Sequence, residues 1–105
     1  MLLKERAGVY KGKITIRSFL KLDIDIDVVI TEEGNITTTT IAPIVGKITH
    51  SIALGADYDK DDYSMEFGSD VFYIKFNSNN SINIELPEKI NGSLIATRNV
   101  TLDRV

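Results

Sequence analysis

Three sets of residues have the types and spacing for chemistry. Asp23, Asp25 and Asp27 alternate with apolar residues along LDIDIDV. Carboxylates at i, i+2 and i+4 of a strand share one face and stand about 6.6 to 7 Å apart. That is too wide for two of them to grip one Ca²⁺ at about 2.4 Å, so the stripe reads as a solvated face paired with cations rather than as a metal or acid–base site. Asp57, Asp59 and Asp61 copy the first three ligand positions of an EF-hand loop, but Asp62 occupies the place of its glycine and Gly68 that of its bidentate glutamate. An ordinary acidic loop is the expectation there. His50, the only histidine, shares a strand face with apolar Ile48, Ile52 and Leu54. It is expected as a hydrogen-bonded core residue, with a polar contact inside a pocket as the alternative. The chain has no cysteine and no Gly-x-Ser-x-Gly, so a hydrolase triad cannot be assembled around that histidine. No catalytic set, no metal and no cofactor is expected, and the chain reads as a non-enzyme.

The elements that position these residues are strands. From Leu20 to Val28 apolar and polar residues alternate strictly, so Leu22, Ile24, Ile26, Val28 and Ile30 face one side while the aspartates face the other, with Val29 as an intruder. Tyr10 to Arg17 alternates in the same way. A hairpin through Ser18, Phe19 and Leu20 sets Ile16 against Leu22, Ile14 against Ile24, Lys13 against Asp25 and Lys11 against Asp27. A five-residue loop keeps the parity but brings Arg17 to Asp23; a slip by one residue would turn the apolar face outward. Glu32 to Asn35 is a turn with Gly34 in the left-handed region, followed by a strand from Ile36 to Ile41 that Ala42-Pro43 ends. Lys47 to Leu54 is a fourth strand. Tyr63 to Phe67 and Phe72 to Phe76 are the fifth and sixth, with a turn at Gly68-Ser69-Asp70. Ile82 to Leu86 is the seventh, with Pro87 as its stop. Leu94 to Thr97 and Val100 to Val105 follow, separated by a turn or bulge at Arg98-Asn99. Short strands at this spacing predict an all-β, single-domain fold over residues 1–105: a small antiparallel meander β-barrel of about eight strands, with a two-sheet β-sandwich as the alternative.

The net charge of −3 argues against a nucleic-acid partner. Lys4, Arg6, Lys11, Lys13, Arg17 and Lys21 make the start basic, and Asp57, Asp59, Asp61, Asp62, Glu66 and Asp70 make the middle acidic. Internal pairing between them is the simplest account. No run approaches the ~20 apolar residues of a membrane helix and no signal-peptide apolar region opens the chain, so a soluble, cytoplasmic protein without membrane contact is expected.

Gly8-Val9-Tyr10 at one end and Leu102-Asp103-Arg104 at the other resemble the calycin superfamily of lipocalins, fatty-acid-binding proteins and avidins. There a Gly-x-Trp opens the first strand and a late Arg or Lys covers the aromatic ring. Gly8 matches the glycine, Tyr10 stands at the tryptophan and Arg104 matches the cation. The resemblance implies a calycin-like barrel closed by Tyr10 and Arg104, and binding of a small apolar ligand inside it. The bulkiest inward set, Tyr63, Met65, Phe67, Phe72 and Phe76, joins His50 as the expected ligand-binding lining. The alternative is a filled core in a protein-interaction or self-assembly module, a homo-oligomer included, that acts through an exposed strand edge or through outward Val29, Val71 and Tyr73.

Overall fold

Alternation of period two runs through nearly the whole chain, and the chain folds accordingly as strand after strand. The computed structural model describes every residue but 18–20, 44–45, 68–69, 79 and 91–92; at 16–17, 21–22, 67, 70, 86–90 and 93–96 it describes the backbone alone. A short 3-10 helix, Leu3–Arg6, leads into β1 (Gly8–Arg17), β2 (Lys21–Ile30), β3 (Asn35–Ala42), β4 (Gly46–Ala53), β5 (Asp62–Phe67), β6 (Asp70–Phe76), β7 (Ser81–Ile90) and β8 (Ser93–Arg104). All eight lie in one antiparallel sheet in the order β4-β3-β2-β1-β8-β7-β6-β5. The sheet curls into a nearly closed barrel, with β4 and β5 as its two edges. The barrel expectation holds over the sandwich.

The register of β1 and β2 is the one a three-residue connection dictates: Ile16 opposes Leu22, Ile14 opposes Ile24, Lys13 opposes Asp25 and Lys11 opposes Asp27. Asp23 therefore meets Thr15 rather than Arg17, and accepts a 2.6 Å bond from the Thr15 hydroxyl. Ser18-Phe19-Leu20 and the Gly68-Ser69 turn lie outside the described residues. The β1–β2 parity sends Tyr10, Ile14, Ile26, Val28 and Ile30 inward, where they join Ile36, Ile74, Ile82, Ile84, Val100 and Leu102 in one core. Each such aliphatic side chain contributes about 1.5 to 3 kcal/mol by leaving water.

Two expectations are corrected. Pro87 does not stop β7, which runs on to Ile90 paired with β8. Among the described ladders β6 pairs with β7 only as far as Tyr73 and Glu85, so Pro87 sits where β7 has a single neighbour, the edge-like position that tolerates a missing N–H. Arg98 and Asn99 make no break either: they pair in register with Leu86 and Glu85, β8 is continuous, and the register shift falls further along, where Glu88 opposes Ala96 and Lys89 opposes Leu94.

β1 and β8 form the seam of the barrel, with Tyr10 opposite Arg104 and Lys11 opposite Asp103. The two strands approach closely at Gly12, where a Cβ would lie 2.3 Å from Leu102 Cδ2 and 3.0 Å from the Thr101 carbonyl oxygen. Between β4 and β5 no ladder forms among the described residues. The connection from Leu54 to Asp61 instead lies against the 3-10 helix, with Leu3 N–H donating to Tyr58 (2.8 Å) and Lys4 N–H to Ala56 (3.1 Å).

Candidate functional site

The residues expected to line an interior site fall into two groups. Met65 and Phe72 are cross-strand partners on β5 and β6, and together with Ile26, Thr38, Thr40, Ile74 and Ile84 they surround a void of about 20 Å³. A void of that size holds about one water, whereas ligand pockets run to about 300 to 1,000 Å³. Tyr63 and Phe76 are buried at the other end of these strands and pack on each other, ring centroids 5.5 Å apart. His50 is half-buried on edge strand β4, opposite Thr38. The side chain of Phe67 lies outside the described residues.

What fills the space beside Phe76 is Arg6, expected only as one cation of a basic start that pairs with the acidic middle, and not as a buried residue against a ring. Its guanidinium lies 4.5 Å from the centre of the Phe76 ring and donates to Asp61 Oδ1 at 2.9 Å. Arg6 is buried, while the Asp61 carboxylate faces water and screens the pair. The Tyr10 hydroxyl donates to the Arg6 carbonyl at 2.6 Å, so the helix, β1, β6 and the β4–β5 connection meet in one plug. Arg6 thus places a cation on the Phe76 ring. Arg104, opposite Tyr10, donates to the Ala7 carbonyl.

Burial pushes the phenol of Tyr63 well above its ordinary range; nearby Thr38 opposes the rise and Tyr58 adds to it. Burial also raises Tyr10, against the cations of Arg104 and Arg6. In the unfolded chain both phenols ionise near the usual value of about 10. Above that pH the unfolded state binds fewer protons than the folded one, so stability is intact below about pH 10 and falls as pH rises toward the folded values. Neither Tyr63 OH nor Thr38 Oγ1 completes a hydrogen bond. Tyr63→Phe is therefore expected to change neutral-pH stability by less than about 1 kcal/mol and to flatten the alkaline fall, read from thermal melts between neutral and strongly alkaline pH. An unchanged alkaline slope would refute the assignment.

The acidic groups are absorbed by local partners. Lys13 Nζ lies 3.8 Å from Asp25, and Lys4 Nζ lies 3.9 Å from Asp57. With Arg6 and Asp61, this joins the basic start to the acidic middle. Among the described residues no three His, Asp or Glu side chains converge as a metal site would require, and no helix is long and apolar enough to cross a membrane.

Among the described residues the outside offers more room than the inside. Val29, Val71 and Tyr73 are all exposed, Tyr73 to 58%. Val29 lies opposite Val9, which is exposed as well. A groove of about 740 Å³ crosses the outer face of β5 to β8, bounded by Leu54, Tyr58 and Lys60 of the β4–β5 connection. Among the described residues edge strand β4 has a ladder on one side only, and its inward Ile48, His50 and Ile52 are half-buried. No family model, no curated protein and no solved structure matches the chain.

Proposed function

We propose that the chain is a noncatalytic β-barrel binding module that acts through its outside, pairing with a second copy of itself along the open edge of β4. The observation that carries this reading is the edge itself. β4 has eight residues and no proline, and Lys47 near its start is its one charge, so the centre of the strand carries none of the usual devices that keep an exposed strand from pairing. The edge is also self-complementary. In a two-fold antiparallel pairing centred on His50, Ile48 meets Ile52 of the second copy, Thr49 meets Ser51, and Lys47 meets Ala53, so no like charges oppose each other. Ile48 and Ile52, half-buried now, would gain cover.

Binding of an apolar ligand within a calycin-like barrel is the second reading, and the eight-strand meander is compatible with it. The void between Met65 and Phe72 weighs against it.

Native mass spectrometry separates the two. The expected result is a mass of two chains with nothing retained. Thr49→Lys with Ser51→Lys sets lysines opposite each other across the pairing and should yield single chains, whereas Thr49→Lys with Ser51→Glu should keep the pair. Thr49 and Ser51 are both exposed on the outer face, so neither change touches the core. A single chain carrying a small-molecule mass would favour the apolar-ligand reading. Pairing that survives both double substitutions would move the interface away from β4.

A further inference from the structure

Ser64, Tyr73, Glu85 and Asn99 are successive cross-strand partners, one on each of β5, β6, β7 and β8. They form a straight row across the floor of the outer groove, about 14 Å long at a strand spacing of about 4.8 Å. Asp62, Lys75 and Asn83 are matched in the same way and form a parallel row one pleat along. Every one of these side chains is exposed or half-buried on the groove side.

We propose that this groove is a binding site for a short neutral oligosaccharide. The proposal rests on the reading of the chain as a noncatalytic binding module, but it uses a different face from β4. Tyr73 supplies the first requirement, a flat apolar platform in water against which the C–H face of a sugar ring stacks. The amides of Asn83 and Asn99 supply the second, since each carries both donor and acceptor groups for vicinal hydroxyls. These amides touch each other at only 3.5 Å, a weak bond that leaves them available. The third is charge balance. Lys60 and Lys75 face Asp62 and Glu85 in the same lining, and none of the four is in an ion pair among the described residues. A polyanion would meet two carboxylates, and an apolar ligand would leave the amides and charges unpaired; a polyol satisfies both signs by hydrogen bonds. The row is long enough for about three sugar rings, a length set by the four strands it crosses.

The test titrates the full chain with maltohexaose, cellohexaose and chitohexaose at up to millimolar concentration, followed by backbone amide shifts in two-dimensional NMR. At least one is expected to bind, with shifts confined to the outer face of β5 to β8. Tyr73→Ala should weaken that binding about tenfold with an unchanged melting temperature, and Val29→Ala, on the opposite wall, should not change it. Oligogalacturonate, an anionic control of similar shape, should bind more weakly. The proposal is overturned by the absence of shifts with all three neutral sugars, by unaltered affinity in Tyr73→Ala, or by tighter binding of the anion. Pairing through β4 is read separately by mass, so loss of either result leaves the other standing.

Discussion

Gly34→Ala is expected to cost the fold about 2 to 5 kcal/mol, a large part of what a domain of this size has to lose, and to bring a marked drop in the urea midpoint. Two effects add. Gly34 has φ +83°, a left-handed conformation that costs a residue with a Cβ about 1 to 2 kcal/mol. The added Cβ would also stand 2.0 Å from the carbonyl carbon of Gly55 and 2.5 Å from the nitrogen of Ala56, against backbone rather than a flexible side chain. That backbone is held in place, because the Gly34 carbonyl accepts from the N–H groups of Leu54 (3.0 Å) and Gly55 (3.3 Å). Overpacking of this kind adds about 1 to 3 kcal/mol. Gly55→Ala is the control: its φ is +95° but nothing lies within 4 Å of its Cβ, so only the cost of handedness remains. Equal losses at the two positions would mean that the contact between the β2–β3 turn and the end of β4 is soft.

Leu102→Ala should be nearly as damaging. Leu102 is fully buried at the seam, and truncating such a leucine costs about 2 to 5 kcal/mol, according to how far the site collapses. The seam makes a second measurement informative. Gly12→Ala alone should cost about 1 to 3 kcal/mol, because its Cβ would overlap Leu102 Cδ2 at 2.3 Å. In the Leu102→Ala background that obstacle is gone, and Gly12→Ala should cost at least about 1 kcal/mol less than it does in the parent. Strict additivity of the two in urea denaturation would show that β8 shifts away from β1 instead of resisting.

The β1–β2 hairpin was legible in the residues because two independent signals agree: one parity buries Ile14, Ile24 and Ile26, and the same parity sets Lys13 against Asp25. The strand character of β3 was legible from its run of β-branched threonines, and that of β4 to β6 from alternation alone. Pro87 misled because its effect depends on how many neighbours a strand has at that point, which is a property of the sheet and not of the residue. For Arg6 the pairing of basic start with acidic middle was legible from charge, but its burial and its place on the Phe76 ring were not, because four residues of 3-10 helix show no periodicity and Phe76 lies far along the chain. The row through Ser64, Tyr73, Glu85 and Asn99 takes one residue from each of four strands, so it exists only once three registers are set. Tyr73 alone stood out beforehand, as an aromatic on the polar side of its strand.

The strand order also has a consequence for how the chain reaches this state. Six of the seven described ladders join strands that follow one another, so each closes only a short loop. The seventh, β1 with β8, must bring Tyr10 to Arg104 across nearly the whole chain. Relative to a four-residue turn that is between four and five doublings of loop length, about 3 kcal/mol of extra closure entropy, before any seam contact repays it. Two four-stranded meanders, β1 to β4 and β5 to β8, can therefore form independently and early, with their docking at Gly12 and Leu102 as the late, slow event. Until that docking is complete, β1 and β8 are open edges as well, and the chain in transit presents four open strand edges where the described ladders of the finished barrel leave two.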